Sequence, residues 1–130
     1  MGGGIGDRVY TRLIPVLPVG DVLAEREFYE KLGFARYVDP EEEYAETTFA
    51  AFESGSAIRF GVSVVPEFDP SEAESRLWWQ FGTSDLDGVH GRATAAGLHV
   101  EQPPKKEPWG RRTLKLRSPN GYLVTFEEDG

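Results

Sequence analysis

The amino-acid sequence predicts an α+β fold made of two tandem βαβββ modules. One pattern occurs twice: DVLAEREFYEKLGF begins at Asp21 and is closed by Gly33, and DLDGVHGRATAAGLHV begins at Asp85 and contains Gly97 at the same spacing. In each segment the Asp can cap the start of a helix, and the Gly can end it about three turns later. A strand pattern precedes each helix and a hairpin pattern follows it. The shift from Asp21 to Asp85 equals that from Gly33 to Gly97 and indicates an internal repeat; we call it the repeat offset.

The first predicted strand, RLIPVLPV (12–19), contains two prolines. Proline cannot donate a backbone hydrogen bond, so within sheets it is confined to edge strands and bulges. Pro15 and Pro18 therefore place this segment at a sheet edge, or in an arm exchanged with a second chain. Its counterpart in the second half is RLWWQFGT (76–83).

Each predicted helix has one apolar stripe. The stripe residues are Leu23, Phe28, Tyr29 and Leu32 in the first helix, and Leu86, Val89, Ala93 and Ala96 in the second. After the helices, AAFESGSAIRF (50–60) aligns with LRSPNGYLVTF (116–126), at a shift slightly larger than the repeat offset. The turns ESGS and SPNG supply the residue types that hairpins need.

Strand alternation predicts one apolar and one mixed, polar face for the strands, because successive side chains point to opposite sides. In RLWWQFGT, Leu77, Trp79 and Phe81 share the apolar face, whereas Arg76, Trp78 and Gln80 share the polar one. Trp79 is therefore predicted to lie in the core and Trp78 on the polar face.

The composition restricts the partners and the location of the protein. The formal net charge of −8 argues against nucleic acid as a partner, because duplex binding depends on neutralising phosphates. There are no cysteines, hence no disulfides or thiolate metal sites. No apolar run approaches the roughly 20 residues of a membrane helix, so we expect no membrane contact and a cytoplasmic location.

We expect a disordered leader at 1–10 and a single domain at 11–130, with module one at about 11–65, a linker at about 66–75 and module two at about 76–128.

Three segments resemble the vicinal oxygen chelate superfamily, which includes glyoxalase I, extradiol dioxygenases, fosfomycin-resistance enzymes and bleomycin-resistance proteins. They are PVGDVLAEREFYEKLGF, TSDLDGVHGRATAAGL and PWGRRTLKLRSPNGYLVTFEE, and the resemblance extends from about Thr11 to Glu128. It implies that the mixed β-sheet curves into a groove lined by the polar face, with the helices outside.

The metalloenzymes of that superfamily place His, Gln or Glu at four inward positions. The matching positions here are Ile14, Arg59, Trp78 and Thr125, and a shift of one residue gives Leu13, Ile58, Trp79 and Val124. Proteins bind zinc, iron and manganese through nitrogen, oxygen or sulfur donors, so we expect no metal and no other cofactor at this site. His90 on the second helix and His99 just after it are expected on the helix side, away from the groove, with no catalytic role.

The polar face supplies the candidate ligand-binding residues. They are Ile14, Val16, Phe49, Arg59, Arg76, Trp78, Gln80, Lys115, Arg117, Leu123, Thr125 and Glu127. Flat rings together with long hydrogen-bond donors suit a planar aromatic or quinone-like ligand. Arg76 and Arg117 can equally turn to the rim and pair with surface carboxylates.

Two loop aromatics extend this set. Trp109, in KKEPWGRR, can close over the groove as a lid or can pin its loop to the sheet edge. Tyr44, in the acidic segment DPEEEYAE (39–46), is a weaker candidate of the same kind.

The resemblance is strongest to the bleomycin-resistance type. It implies a homodimer that binds and sequesters a toxic natural-product antibiotic without altering it; the ligand classes are bleomycin-like glycopeptides, mitomycin-like quinones and anthraquinone-bearing enediynes. One alternative is an enzyme of the same fold, an isomerase, lyase or dioxygenase, with Glu127 as the possible base. Another is a regulatory or scaffold module whose groove is filled by a second protein.

Overall fold

The computed structural model describes residues 14–37, 49–55, 58–65, 67–71 and 79–130. The predicted leader, the start of the first predicted strand, the acidic segment and residues 72–78 lie outside these ranges. In chain order the described elements are β1 (Val16–Val19), α1 (Val22–Lys31), β2 (Ala35–Tyr37), β3 (Phe49–Ser54), β4 (Ile58–Val64), β5 (Trp79–Thr83), α2 (Leu86–Ala95), β6 (His99–Lys106), β7 (Arg112–Arg117) and β8 (Leu123–Glu128).

The strands form two four-stranded mixed sheets with the same topology. Their orders are β1-β4-β3-β2 and β5-β8-β7-β6, with one parallel pair and two antiparallel pairs in each. The predicted α+β fold of two tandem βαβββ modules is therefore confirmed. β1 is an edge strand of the sheet that the structure describes, as its prolines predict. It begins at Val16, although the Pro15 carbonyl before it already accepts a hydrogen bond from the Gly61 N–H on β4.

The helix boundaries agree with the capping pattern. The Asp21 carboxylate accepts a hydrogen bond from the Ala24 N–H at 3.1 Å, and that of Asp85 accepts one from the Gly88 N–H at 3.0 Å. Beyond the C-terminus of α1, Gly33 has a φ of 98°, in the left-handed region that glycine adopts without a steric penalty.

One assignment in the α1 stripe is wrong. Leu23 is 38% exposed, and the buried positions near the start of the helix are Val22 and Glu25. Leu23 lies five residues before Phe28, so on a helix of 3.6 residues per turn it lies on a different side.

The α2 stripe is largely confirmed. Leu86, Val89 and Ala93 are buried as predicted, whereas Ala96 is only half-buried. Ala96 follows the last helical residue and belongs to the C-cap, where the helix leaves the sheet.

The larger shift predicted for the hairpins is also wrong. Glu53 pairs with Arg59 in the first hairpin, and Arg117 pairs with Leu123 in the second, so equivalent pairs are related by the same repeat offset as the helices. The sequence alignment matches Gly55 with Gly121, which both have positive φ but occupy different positions in their turns. A single repeat offset therefore holds from β1 to β8.

An aromatic core connects the two modules. The ring of Phe60 on β4 lies 5.1 Å from that of Trp79 and 5.5 Å from that of Phe81, both on β5. The Trp79 indole N–H donates to the Tyr29 hydroxyl on α1 at 3.1 Å. Trp79 thus packs on the core, as the alternation predicts, and both modules share that core.

A polar contact between the modules surrounds Asn120 in the β7–β8 turn. Its side-chain oxygen accepts from the N–H groups of Gly20 (2.9 Å) and Asp21 (2.8 Å), and its amide nitrogen donates to the Asp21 carbonyl. Its backbone N–H and its side chain both donate to Glu25 Oε1. The sequence offered one signal for this contact: Glu25 stands in a position of α1 that the helical period assigns to the core.

Burial raises the pKa of Glu25, and the hydrogen bonds from Asn120 oppose that effect. Nearby, the Tyr122 hydroxyl, just before β8, donates to the Pro18 carbonyl, which joins the β7–β8 turn to β1 across the module boundary. Gly121 has a φ of 95°, and a Cβ there would lie 2.8 Å from the Pro70 carbonyl oxygen. The second hairpin is therefore fixed against the first module.

Within the described residues, no helix is long and apolar enough to cross a membrane.

Candidate ligand-binding face

The polar face of the second sheet is defined by residues that alternate with its core residues. Gln80 on β5, Thr125 on β8 and Lys115 on β7 are aligned in one row by the strand register. The core residues on the same strands are Phe81, Leu114, Leu116, Val124 and Phe126. The parity that the sequence predicts is thus correct for these strands, and we call this surface the polar face.

Trp109 lies at one end of the polar face. Its indole N–H donates to Glu127 Oε2 at 2.9 Å, while Arg111 Nη1 lies 3.5 Å from Glu127 Oε1. The tryptophan is nevertheless 58% exposed. The indole nitrogen therefore attaches the loop to β8, an inner strand of the described sheet, and much of the ring is open to solvent. Closure of this ring over the groove stays a prediction.

The start of the same loop is fixed by Glu107. The Thr113 hydroxyl donates to Glu107 Oε1 at 2.6 Å, and the Gln102 amide donates to the Thr113 hydroxyl at 3.3 Å. The hydrogen bond from Thr113 holds the pKa of Glu107 below its ordinary value. These contacts position the loop that carries Trp109.

Two cations of the polar face have different surroundings. Arg117 donates to Glu101 Oε1 at 2.7 Å and to the Gly121 carbonyl at 3.1 Å, which confirms the alternative in which it pairs with a surface carboxylate. The Lys115 side chain is half-buried and makes no hydrogen bond or ion pair with the residues that the structure describes, although its charge contributes to the lowered pKa of Glu107. Its ammonium group therefore has donors available to a ligand.

The placement of His99 on the helix side is wrong. His99 pairs directly with Arg117 across β6 and β7, so both side chains belong to the same face. Its Nε2 lies 3.6 Å from Glu101 Oε2. The hydrogen bonds from Arg117 are the main cause that lowers the pKa of Glu101. The prediction erred because it attached His99 to the helix, whereas β6 begins at that residue.

The other predicted residues are distributed over both sheets. Leu123 is half-buried opposite Arg117, and Thr125 is largely covered by its neighbours. On the first sheet, Arg59 lies 3.6 Å from the Glu53 carboxylate, so its charge is partly balanced.

The remaining candidates lie at the edge of the first sheet or outside the described residues. Ile14 and Val16 are exposed at that edge. Phe49 belongs to β3, but its side chain, like Arg76, Trp78 and Tyr44, lies outside the described residues.

In the described part of the chain, no group of three or more His, Cys, Asp or Glu side chains is arranged to hold a metal ion. The arrangement offers instead an exposed indole, a carboxylate that holds it, and a row of an amide, a hydroxyl and an ammonium group. Such groups can stack against a flat ring and donate hydrogen bonds to its carbonyl or hydroxyl oxygens.

The chain matches a known protein family over most of its length. The profile of the Glyoxalase/Bleomycin resistance protein/Dioxygenase superfamily matches residues 12–126. No curated protein matches the chain at a significant level.

Solved structures share the fold at low sequence identity. A bleomycin-binding protein complexed with bleomycin has a TM-score of 0.69 and 19% identity, covering 92% of this chain and 99% of that one. TioX from Micromonospora sp. ML1 has a TM-score of 0.67 and 21% identity over 92% and 97% of the two chains. A glyoxalase/dioxygenase from Nostoc punctiforme has a TM-score of 0.74 and 17% identity over 100% and 97%.

Proposed function

The chain belongs to the Glyoxalase/Bleomycin resistance protein/Dioxygenase superfamily, and on that basis we propose that it binds and sequesters a planar aromatic natural-product antibiotic without altering it. The ligand occupies the polar face of the second sheet, and binding lowers the free concentration of the toxic compound. The fold shared with a bleomycin-binding protein and with a bleomycin resistance determinant supports this class of function over a structural one.

The observation that carries the proposal is the position of Trp109. A solvent-exposed indole would gain apolar contact area by covering a flat ligand, and its hydrogen bond to Glu127 fixes it in advance. Fixing a ring before binding reduces the entropy lost when the ligand arrives. Stacking of aromatic rings adds about 0.5–1.5 kcal/mol beyond the buried area.

The local charge distribution favours quinones and anthraquinones over cationic glycopeptides. Lys115 can donate to ring carbonyl oxygens, whereas the net charge of −8 would attract a cation from a distance. Salt screens charges beyond about 8–10 Å, so the contacting groups decide the preference. Mitomycin-like and anthraquinone-bearing ligands are therefore expected to bind more tightly than bleomycin.

The homodimer also belongs to this proposal. β1 is an edge strand of the sheet that the structure describes, and the exposed apolar side chains of Ile14 and Val16 lie at this edge. Val64 and Val65, next to the end of β1, are exposed as well. A second copy covering this edge would bury these side chains and protect the strand.

The alternative of an enzyme depends on Glu127 as a base. Both of its carboxylate oxygens already have protein partners, since one accepts from the Trp109 indole and the other lies 3.5 Å from Arg111, so the carboxylate is oriented by the loop. Glu127→Gln separates the two functions. An enzyme would lose turnover and keep its ligand, whereas a sequestering protein would show no turnover in either form.

The test is a calorimetric and tryptophan-fluorescence titration with bleomycin, mitomycin and an anthraquinone-type antibiotic, in the presence of EDTA. We expect saturable, micromolar or tighter binding of at least one compound, recovered unchanged by mass spectrometry. Trp109→Ala should weaken binding about tenfold or more, since it removes both ring contact and pre-organisation. Leu23→Ala is the matched control, because Leu23 is an exposed apolar residue on α1.

Trp78 remains a proposed contact of the same ligand, and Trp78→Ala is included in the titration. Flat titrations with all three compounds would contradict sequestration of this ligand class. Chemical conversion of a bound compound would instead establish the enzyme.

A further inference from the structure

The repeat offset relates two places where a hairpin meets the other module. At the first, the β7–β8 hairpin lies against β1 and α1; at the second, the β3–β4 hairpin lies against β5 and α2. Residues related by the repeat offset should occupy equivalent positions in the two places. Comparing the side chains at those positions therefore shows how the packing of the two places differs.

The first place is filled by large side chains. Tyr122 is buried and donates to the Pro18 carbonyl, and Glu25 is fully buried and accepts from the Asn120 N–H. Phe28 is buried three residues after Glu25 on α1. Phe68 covers the outside of Tyr122, with the ring centroids 6.2 Å apart.

The second place has a shorter or outward-directed side chain at each of these positions. Ile58 replaces Tyr122, Val89 replaces Glu25, and Arg92, which is exposed, replaces Phe28. A pocket of about 150 Å³ is present there and is partly open to solvent. Its apolar walls are formed by Leu32, Phe34, Ile58, Phe81, Val89 and Phe126.

The pocket lies on the opposite side of the second sheet from the polar face. Phe81 and Phe126 line it, and they alternate along their strands with Gln80, Thr125 and Glu127. A ligand here would therefore contact neither Lys115 nor Trp109. An apolar cavity of comparable volume in another protein holds a benzene molecule, so the space is sufficient for one aromatic ring.

Arg92 supplies a charge at the opening. It lines the pocket, and its guanidinium Nη1 lies 3.3 Å from where a Cβ on Gly33 would be, so the absence of a side chain at Gly33 gives it room. Its side chain makes no hydrogen bond or ion pair with the residues that the structure describes. A planar guanidinium with five donors is suited to a carboxylate.

We propose that this inter-module pocket is a binding site for a small aromatic carboxylate, with the ring between Phe34, Phe81 and Ile58 and the carboxylate on Arg92. The site is separate from the polar face and does not depend on the function proposed for that face. At the second place Ile58, Val89 and Arg92 stand where the first place has Tyr122, Glu25 and Phe28, and they leave this space open.

The test uses benzoate as the probe and benzyl alcohol as its uncharged counterpart, each titrated into the full chain and followed by methyl and aromatic NMR signals. We expect saturable shifts of the Ile58 and Val89 methyl groups with benzoate, and none at Lys115. Arg92→Gln should weaken benzoate binding about tenfold or more, because hydrogen bonds to a charged group are lost, and should change benzyl alcohol binding less than about twofold.

Ile58→Tyr fills the pocket with the side chain found at the equivalent position and should abolish binding of both probes. Should that variant fail to fold, the Arg92→Gln comparison still decides. The proposal is overturned if benzoate produces no saturable shift at Ile58 and Val89, if Ile58→Tyr binds benzoate as the wild type does, or if Arg92→Gln affects both probes equally.

Discussion

Glu25 shows at the scale of one residue how the two modules are held together. Its side chain is fully buried in α1, and Oε1 accepts hydrogen bonds from the backbone N–H and side chain of Asn120, 95 positions later. A carboxylate removed from water is stabilised only by such donors. The helical period places residue 25 in the core, but sequence alone does not reveal a partner so distant along the chain.

The raised pKa of Glu25 predicts a specific pH dependence. The folded protein holds this proton more tightly than the unfolded chain, where the ordinary value of 4.5 applies. The contribution of Glu25 to stability is therefore complete below pH 4.5 and is lost as the pH rises through the folded-state pKa. Because Glu25→Gln keeps an oxygen acceptor but cannot titrate, the unfolding free energy of the wild type should fall relative to that of the variant above pH 4.5.

Urea unfolding of both proteins at a series of pH values measures that difference. Glu27→Gln is the control for removing one acidic residue from the same helix, since Glu27 is exposed. The measured quantity is the unfolding free energy of the wild type minus that of Glu25→Gln. If this difference stays constant from pH 4 to 8, or rises with pH, then burial does not dominate the ionisation of Glu25.

The helices were predictable at the scale of elements because their signals are local. An Asp accepting from the N–H three residues later and a Gly with positive φ suffice to set both ends, and both lie within one segment of the sequence. The hairpin alignment failed because glycine identity does not specify the position within a turn; strand pairing does, and pairing depends on residues outside the turn. Leu23 was wrongly assigned to the buried stripe of α1 because it is apolar, although the helical period places it on a different side from Phe28.

Two glycines of the second helix predict opposite effects of the same substitution. Gly91 lies inside α2, exposed and with free space around a Cβ, so Gly91→Ala should raise the unfolding free energy by about 0.5–1 kcal/mol. Gly97 also has free space but has a φ of 71°, so Gly97→Ala should lower it by about 1–2 kcal/mol. Denaturant unfolding of the pair measures both. Equal effects of the same sign would mean that backbone conformation does not set the end of this helix.

At the scale of the whole molecule, the apolar edge around β1 predicts self-association. Val16 is 48% exposed on the edge strand, and Val16→Glu would place a charge in the proposed contact between two copies. We expect a dimer for the wild type and a shift toward monomer for the variant in analytical ultracentrifugation. Leu23→Glu is the matched control, because Leu23 is 38% exposed on α1. A monomeric wild type, or an equal response to both substitutions, would contradict this interface.

The candidate site was predicted only in part. Alternation placed Gln80, Lys115, Thr125 and Glu127 on one face, because a period of two follows from strand geometry alone. The partners of these residues were beyond reach: the Trp109–Glu127 and Arg117–Glu101 contacts connect different strands and depend on register and loop path. The pocket beside Arg92 was not predicted either, since it depends on packing between modules.

The most direct test of the central claim is amide and indole chemical-shift mapping of the chain with the tightest ligand of the antibiotic panel, in the presence of EDTA. The proposed sequestration at the polar face predicts saturable shifts at Gln80, Lys115 and Thr125 and at the Trp109 indole N–H, with the ligand recovered intact. Shifts confined to α2 and the pocket beside Arg92, or no saturable shift, would contradict it.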